Sequence, residues 1–352
     1  MATPTTVEAR AYAAGAKKAA TWGTEVALGT GCEIKLLKSS NLPQAYKREL
    51  VTKKESNYTG FARRILGGVG SCDFTVESYM RYDAGPLGEF LAELFGTAGA
   101  PSTVETGVYL HTFQWADSSS GLFSTYAEEY PGKIYSVPSA KPIKAVFTLE
   151  EGIVKLTTSL RGNNVIVGSA VNGATQMDAL TCVNDEDEVR FDQMDEVWVN
   201  LASTAPLAAA DQRTISGMEL TFGRGLEDPK PTAGATTLTE AQEEDVSDVR
   251  VKLDFPYDDS FNREFFEDFV DDTPYAMIFH FKGALLGATA YYEMTLYYPQ
   301  LRLAAVPDLT KEGIVKVTAE FVAIPVSAAP SGFSYTRPYM TLQNARSTDY
   351  LA

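Results

Sequence analysis

Alternation of apolar and polar residues dominates the chain. Phe74, Val76, Ser78, Met80 and Tyr82 alternate with Thr75, Glu77, Tyr79 and Arg81, the two-residue period of a strand with one buried face. Val249, Val251, Leu253 and Phe255 alternate in the same way with Arg250, Lys252 and Asp254. Each strand pattern leads into a helical one. After Tyr82 and Asp83 come Leu87, Phe90, Leu91, Leu94 and Phe95, an i, i+3, i+4, i+7, i+8 stripe, with Asp83 and Pro86 as start signals. After Tyr257 and Asp258 come Phe261, Phe265, Phe266 and Phe269.

The two stretches keep register. Tyr82 answers Tyr257, Asp83 answers Asp258, Glu89 answers Glu264, Phe90 answers Phe265 and Leu94 answers Phe269, all at one offset. Glu151, Gly152, Ile153, Val154 and Lys155 reappear as Glu312, Gly313, Ile314, Val315 and Lys316, and Gly31 to Leu36 parallels Gly217 to Phe222, with Glu33 answering Glu219. Self-similarity of this kind is read before any single element, because a missed repeat misassigns the fold. It predicts a mainly β chain of two tandem sandwich or barrel units, each with one flanking α-helix. The expected division is an N-terminal arm over 1–20, a first unit over 21–170, an acidic connecting segment over 171–214, a second unit over 215–324 and a C-terminal arm over 325–352. The Ala-rich first arm reads as a helix or an unstructured lead. The last arm carries Phe333, Tyr335 and Tyr339 among prolines and must dock its aromatics on its own chain or on a neighbour. Two unrelated β domains sharing common patterns are the competing reading.

Length and composition agree with two ordinary folded domains: 352 residues, 45% hydrophobic, 11% aromatic and 22% charged. A net charge of −16 argues against a broad basic face for nucleic acid. Cys32, Cys72 and Cys182 form neither a disulfide framework nor a CxxC metal pair. The N-terminus lacks the apolar core of a signal peptide, and no stretch approaches the roughly 20 apolar residues of a membrane span. Folding in a cytoplasm is the expectation.

The copies differ in one loop. Between its opening strand and the strand before the helix, the first copy has a long connection over 38–71 with Lys47, Arg48, Lys53, Lys54, Arg63 and Arg64 against only Glu49 and Glu55. It ends in a glycine cluster at Gly67, Gly68 and Gly70. Loops of this length without a core pattern are usually functional or disordered. The second copy has Glu240, Glu243, Glu244, Asp245 and Asp248 in the corresponding place, and further acid lies at Asp185, Glu186, Asp187 and Glu188. Basic loops of this kind can steer onto acidic partners in an adjoining layer; the bland reading of each run is a solvated face.

Catalytic chemistry finds little support. His111 and His280, the two histidines present, lack metal-ligand neighbours at the right spacing. The glycine runs at 29–31 and 67–71 lead into strands, whereas a phosphate cradle needs a following helix. No nucleophile elbow or HExxH occurs. Trp22, Trp115 and Trp198 can be core residues or a sugar platform. The expectation is no enzyme, no cofactor and no metal, with a carboxylate-dependent hydrolase as an outlying alternative.

With these features in order, the chain resembles the tail tube (major tail) proteins of long-tailed, siphovirus-like bacteriophages. The resemblance rests on the Gly-rich opening from Trp22 to Gly31, the long basic loop, the Gly-Gly turn into an alternating strand, the helix from Pro86 to Phe95 with Gly96, and the strands 153–160 and 215–222. It covers about Thr21 to Ala323. It implies tail-tube-like β units whose strands join those of neighbouring copies in a ring, rings stacked into a hollow tube in the virion tail, and viral DNA passing through the lumen without specific binding. The loop 38–71 is then the element that reaches the next ring, with Asp185, Glu186, Asp187, Glu188, Glu243, Glu244 and Asp245 as acidic partners or lumen segments. A duplicated chain departs from six single-unit subunits and points to a homo-oligomeric ring of three chains with pseudo-sixfold symmetry, a ring of six chains being the alternative, alongside other tail proteins and no membrane. Another β-rich virion protein, or a carbohydrate-binding adhesive module, is the alternative.

Overall fold

The computed structural model describes residues 13–38, 40–42, 49–51, 64–66, 72–97, 101–130, 133–150, 152–180, 187–227, 238–257, 265–310 and 315–352. The chain is mainly β. Its first part carries β1 (Ala14–Lys18), β2 (Glu49–Val51), β3 (Arg64–Leu66), β4 (Cys72–Tyr79), α1 (Gly85–Phe95), β5 (Ser102–Glu105) and β6 (Val108–Gln114). There follow β7 (Ser124–Tyr130), β8 (Lys133–Glu150), β9 (Ile153–Gly162), β10 (Ile166–Val167), α2 (Ala174–Asp178) and β11 (Met194–Leu201). The last part holds β12 (Gly217–Leu226), β13 (Glu243–Pro256), α3 (Phe265–Val270), β14 (Tyr275–Leu285), β15 (Tyr291–Leu303), β16 (Asp308–Thr310), β17 (Lys316–Ala323) and β18 (Tyr339–Asn344).

Sixteen strands join one antiparallel sheet, and β2 pairs with β3 apart from it. Within the large sheet, β4, β9, β8, β7 and β1 pair in that order. Further along the chain, β13, β17, β15, β14 and β11 pair in the corresponding order. The first strand of each series is followed by a helix, α1 or α3. The alternating residues behave as their period requires: Phe74 and Val76 of β4, and Val251, Leu253 and Phe255 of β13, are each at most 2% exposed.

The series meet edge to edge. The second half of β8 pairs with β9 on one side and with β12 on the other, Phe147 lying opposite Leu220 and Ala145 opposite Phe222. Strand β12 then pairs with β13. One core cluster runs through both, from Phe74 and Leu156 to Phe255 and Phe321.

Helix α1 starts as its sequence indicates, with Pro86 in the first turn, but its N-cap is Ala84 and Asp83 makes no cap hydrogen bond. It ends at Gly96, whose φ of 85° is left-handed, a conformation glycine adopts without strain.

Two expectations about local structure change. Residues 14–18 form strand β1, not a helix or an unstructured lead. The reason is close packing: Gly15 pairs with Ala127, and a Cβ on it would lie 2.5 Å from the Cys32 carbonyl oxygen. The strand expected over 31–36 reduces to one bridge, Glu33 with Gly15, because residues 32–34 turn to bond β1 through Ala16 N to Cys32 O and Ile34 N to Ala14 O. Beside β4, the Leu37 N–H donates to the Glu77 carbonyl at 2.9 Å, while the residue opposite Glu77 on β9 is Thr157. The C-terminal stretch packs on its own chain: β18 lies between β15 and β6, and Tyr350 is fully buried.

Candidate assembly surfaces

The junction between β8 and β12 is built on α1. Phe222 projects from β12 onto Phe95, ring centroids 5.0 Å apart, and Phe95 also meets Trp115 at 5.4 Å and Phe113 at 6.3 Å. Two residues on, Arg224 reaches the end of the helix. Its guanidinium donates to Leu94 O, to Phe95 O at 2.8 Å and to Ala116 O at 3.0 Å, and it lies 4.7 Å from the Trp115 ring centroid. Helix α1 has no basic residue in its own last turn, so the cation that satisfies its terminal carbonyls comes from β12, the strand that joins the two series. The sequence gives no spacing signal for this contact, which joins residues about 130 positions apart.

Glu243 at the start of β13 completes the cluster. It accepts from Arg224 at 3.3 Å and from the Ser119 N–H and hydroxyl at 2.6 and 2.8 Å. Burial acts to raise its carboxyl, yet the Ser119 hydrogen bonds and the nearby Lys141 hold it below the ordinary value. Glu240 is engaged as well, taking the buried Lys141 ammonium at 2.7 Å and the Gly121 N–H at 2.8 Å.

The acids singled out from sequence therefore divide. Asp187 is tied to Arg81, which donates through Nε at 2.7 Å, and also accepts from the Asp83 N–H at 3.2 Å. Glu188 bridges Arg81 through the backbone. Glu243 is held as above, whereas Glu244 and Asp245 are exposed on β13. Asp185 and Glu186 lie outside the described residues, as do Lys47, Arg48, Lys53, Lys54 and Arg63, while Arg64 begins β3.

The histidines and tryptophans sit in packed surroundings. His111 is fully buried on β6, its Nε2 2.9 Å from Arg346 O, and burial pushes its pKa down. His280 Nδ1 lies 2.7 Å from Asp195 Oδ1. Trp22 donates to Leu238 O at 2.7 Å and packs edge-on to Phe123. Trp198 packs with Leu207, Ile278 and Phe333. Cys32 and Cys72 are free thiols, and burial pushes Cys72 up to about 12. Among the described residues, no group of three or more His, Cys, Asp or Glu side chains is placed to hold a metal ion, and no helix is long and apolar enough to cross a membrane.

What the surface does present is uncovered apolar area near the end of the second series. Phe266 and Val270 of α3 are 58% and 66% exposed, and Leu309 of β16 is 42% exposed. Val306 and Val315, flanking β16, are also exposed. Strand β16 pairs with β17 and, among the described residues, with no other strand. An open strand edge beside exposed apolar residues is a site for adding another strand.

A family model described as phage tail tube protein matches residues 11–323. None of the curated proteins compared with the chain matches it.

Proposed function

The chain belongs to the phage tail tube protein family, a structural component of the virion tail, and from that premise we propose that it closes into rings that stack around a lumen through which the viral genome leaves. The observation that carries this reading is the repeated strand order. Two series of five strands pair in the same sequence, each with a helix after its first strand. A chain built on two such copies fills two neighbouring ring positions, so that three chains make a ring of pseudo-sixfold symmetry.

Charge fits the role of a conduit. With a net charge of −16, an acidic lumen repels passing DNA and limits sticking. The basic segment 38–71 is the element proposed to reach the adjacent ring. Exposed Glu244 and Asp245 on β13 are the acids open to receive it, since Asp187 and Glu243 have partners within their own chain. Assembly takes place in the host cytoplasm.

Electron microscopy of the purified protein tests this proposal. Tubes or stacked rings are expected; monomers that never associate at any concentration or salt would overturn it.

A further inference from the structure

The junction already present inside the chain indicates how one copy meets the next. In the first series, the hairpin of β8 and β9 presents the outer edge of β8 to β12, with Glu219 to Gly223 running beside Lys144 to Thr148. The same strand lays Phe222 against Phe95 of α1. In the second series, β16 and β17 form the corresponding hairpin, Leu309 opposite Val317. Among the described residues, the outer edge of β16 has no strand beside it.

The helices show the same contrast. Phe90 and Phe265, which answer each other in sequence, are 0% and 1% exposed. Leu91 and Phe95 are also fully buried, Phe95 against Phe113, Trp115 and Phe222. Their counterparts at the same offset, Phe266 and Val270, are 58% and 66% exposed. The second series therefore lacks a cover, and part of that cover in the first series is β12.

One other segment of the chain touches the first series at the position that β12 touches in the second. Glu219 of β12 lies opposite Lys252 of β13. Leu37 donates to the carbonyl of Glu77 on β4, and Glu77 and Lys252 occupy matching positions at the offset that relates the helices. Leu37 is itself 39% exposed. On these grounds we propose that residues 33–37 of a second copy add along the outer edge of β16 and cover Phe266, Val270 and Leu309, repeating between chains the β8–β12 junction within one chain. This joint rests on the ring-forming reading and specifies its contact. Backbone pairing supplies the direction of growth, and the exposed aromatic and aliphatic groups supply the buried area. Because the donor segment and the acceptor edge are different surfaces, the contact is heterologous and propagates head to tail, the arrangement a ring requires.

Photo-crosslinking on the full chain tests the joint. Leu309→p-benzoylphenylalanine is prepared in light-isotope protein, mixed with heavy-isotope wild type, irradiated and digested. The expected product joins the peptide containing position 309 of one copy to residues 33–37 of a copy of the other isotope. Cross-links confined to one chain, intermolecular cross-links to another segment, or none at all would overturn the joint. Micrographs of the same samples separate the two claims: tubes without this cross-link retain the tube and remove the joint, and the cross-link in species that never stack retains the joint and removes the tube. As a second arm, Phe266→Glu with Val270→Glu is expected to leave the circular dichroism spectrum and Tm of the isolated chain unchanged, because both positions are exposed. It should lower ring yield at fixed concentration by about tenfold or more, the equivalent of about 1.4 kcal/mol. Undiminished ring yield would count against the joint.

Discussion

Arg224 and Phe95 are joined by a hydrogen bond of 2.8 Å from the guanidinium to the last carbonyl of α1, with the Phe222 ring of the same strand packed at a tilt of 43° against the Phe95 side chain. The contact fastens the helix of the first series to β12, the strand between the two series. Arg224→Ala removes the donors that satisfy Leu94 O, Phe95 O and Ala116 O in a buried setting. The expected loss is about 3 kcal/mol of unfolding free energy, read as a lower midpoint in urea. Arg224→Lys should recover only part of it, because an ammonium cannot span three carbonyls with the planar fork. A change below about 0.5 kcal/mol for the alanine variant, the range of ordinary surface substitutions, would contradict this role.

Gly88 marks a second point of close approach. A Cβ there would lie 2.2 Å from Cε1 of Tyr350, a ring that is fully buried and whose hydroxyl accepts from Asn344 at 2.9 Å. Gly88→Ala should therefore destabilise by about 1–3 kcal/mol despite the helix preference for alanine. Gly29→Ala, with nothing within 4 Å of its Cβ, serves as the neutral control. Combining Gly88→Ala with Tyr350→Ala should cost less than the sum of the single changes, a coupling visible in a double-mutant cycle.

Glu93 controls a pH dependence. Its carboxyl is wholly buried, and burial raises its pKa well above 4.5 in spite of the hydrogen bond from Ser124 at 2.6 Å. The folded chain thus keeps a proton that the unfolded chain releases from its ordinary value upward. Stability carried by this group is complete below about pH 4.5 and declines as pH rises toward the folded pKa, by at most about 1.4 kcal/mol per pH unit. Glu93→Gln keeps the hydrogen-bonding shape without the ionisation. Its Tm should exceed that of the wild type at neutral pH and converge with it near the acid end. A parallel pH profile for the two proteins would refute the assignment.

The basic segment is tested by charge reversal. Changing Lys53, Lys54, Arg63 and Arg64 together to Glu should leave the subunit fold intact and impair stacking of rings, since like charges then face Glu244 and Asp245. The wild-type interaction should also weaken with salt over the Debye length. Normal tube lengths from the reversed variant would end the electrostatic docking idea.

What the sequence made legible follows from how local each signal is. The strand at Phe74 to Tyr82, the helix from Pro86 to Phe95 and the strand at Val249 to Phe255 depend on nearest-neighbour periodicity, and the chain carries all three, the helix within one residue, although β4 ends at Tyr79 and β13 already begins at Glu243. The small residues Ala14, Gly15 and Ala16 misled because their use is tertiary: they admit the chain close to Cys32, which no period records. The acidic residues likewise looked alike in sequence. Burial and distant donors distinguish them, Ser119 and Arg224 on Glu243 and Arg81 on Asp187, leaving Glu244 and Asp245 exposed. Arg224 itself escaped notice, since its carbonyl partners lie about 130 residues away.

The most direct measurement of the central claim is a cryo-electron microscopy reconstruction of the assembled tube, in which chains per ring are counted. The account predicts six similar lobes contributed by three chains, with the β8–β12 contact within chains alternating with a matching contact between them. Six chains per ring, or lobes that do not resemble one another, would contradict it.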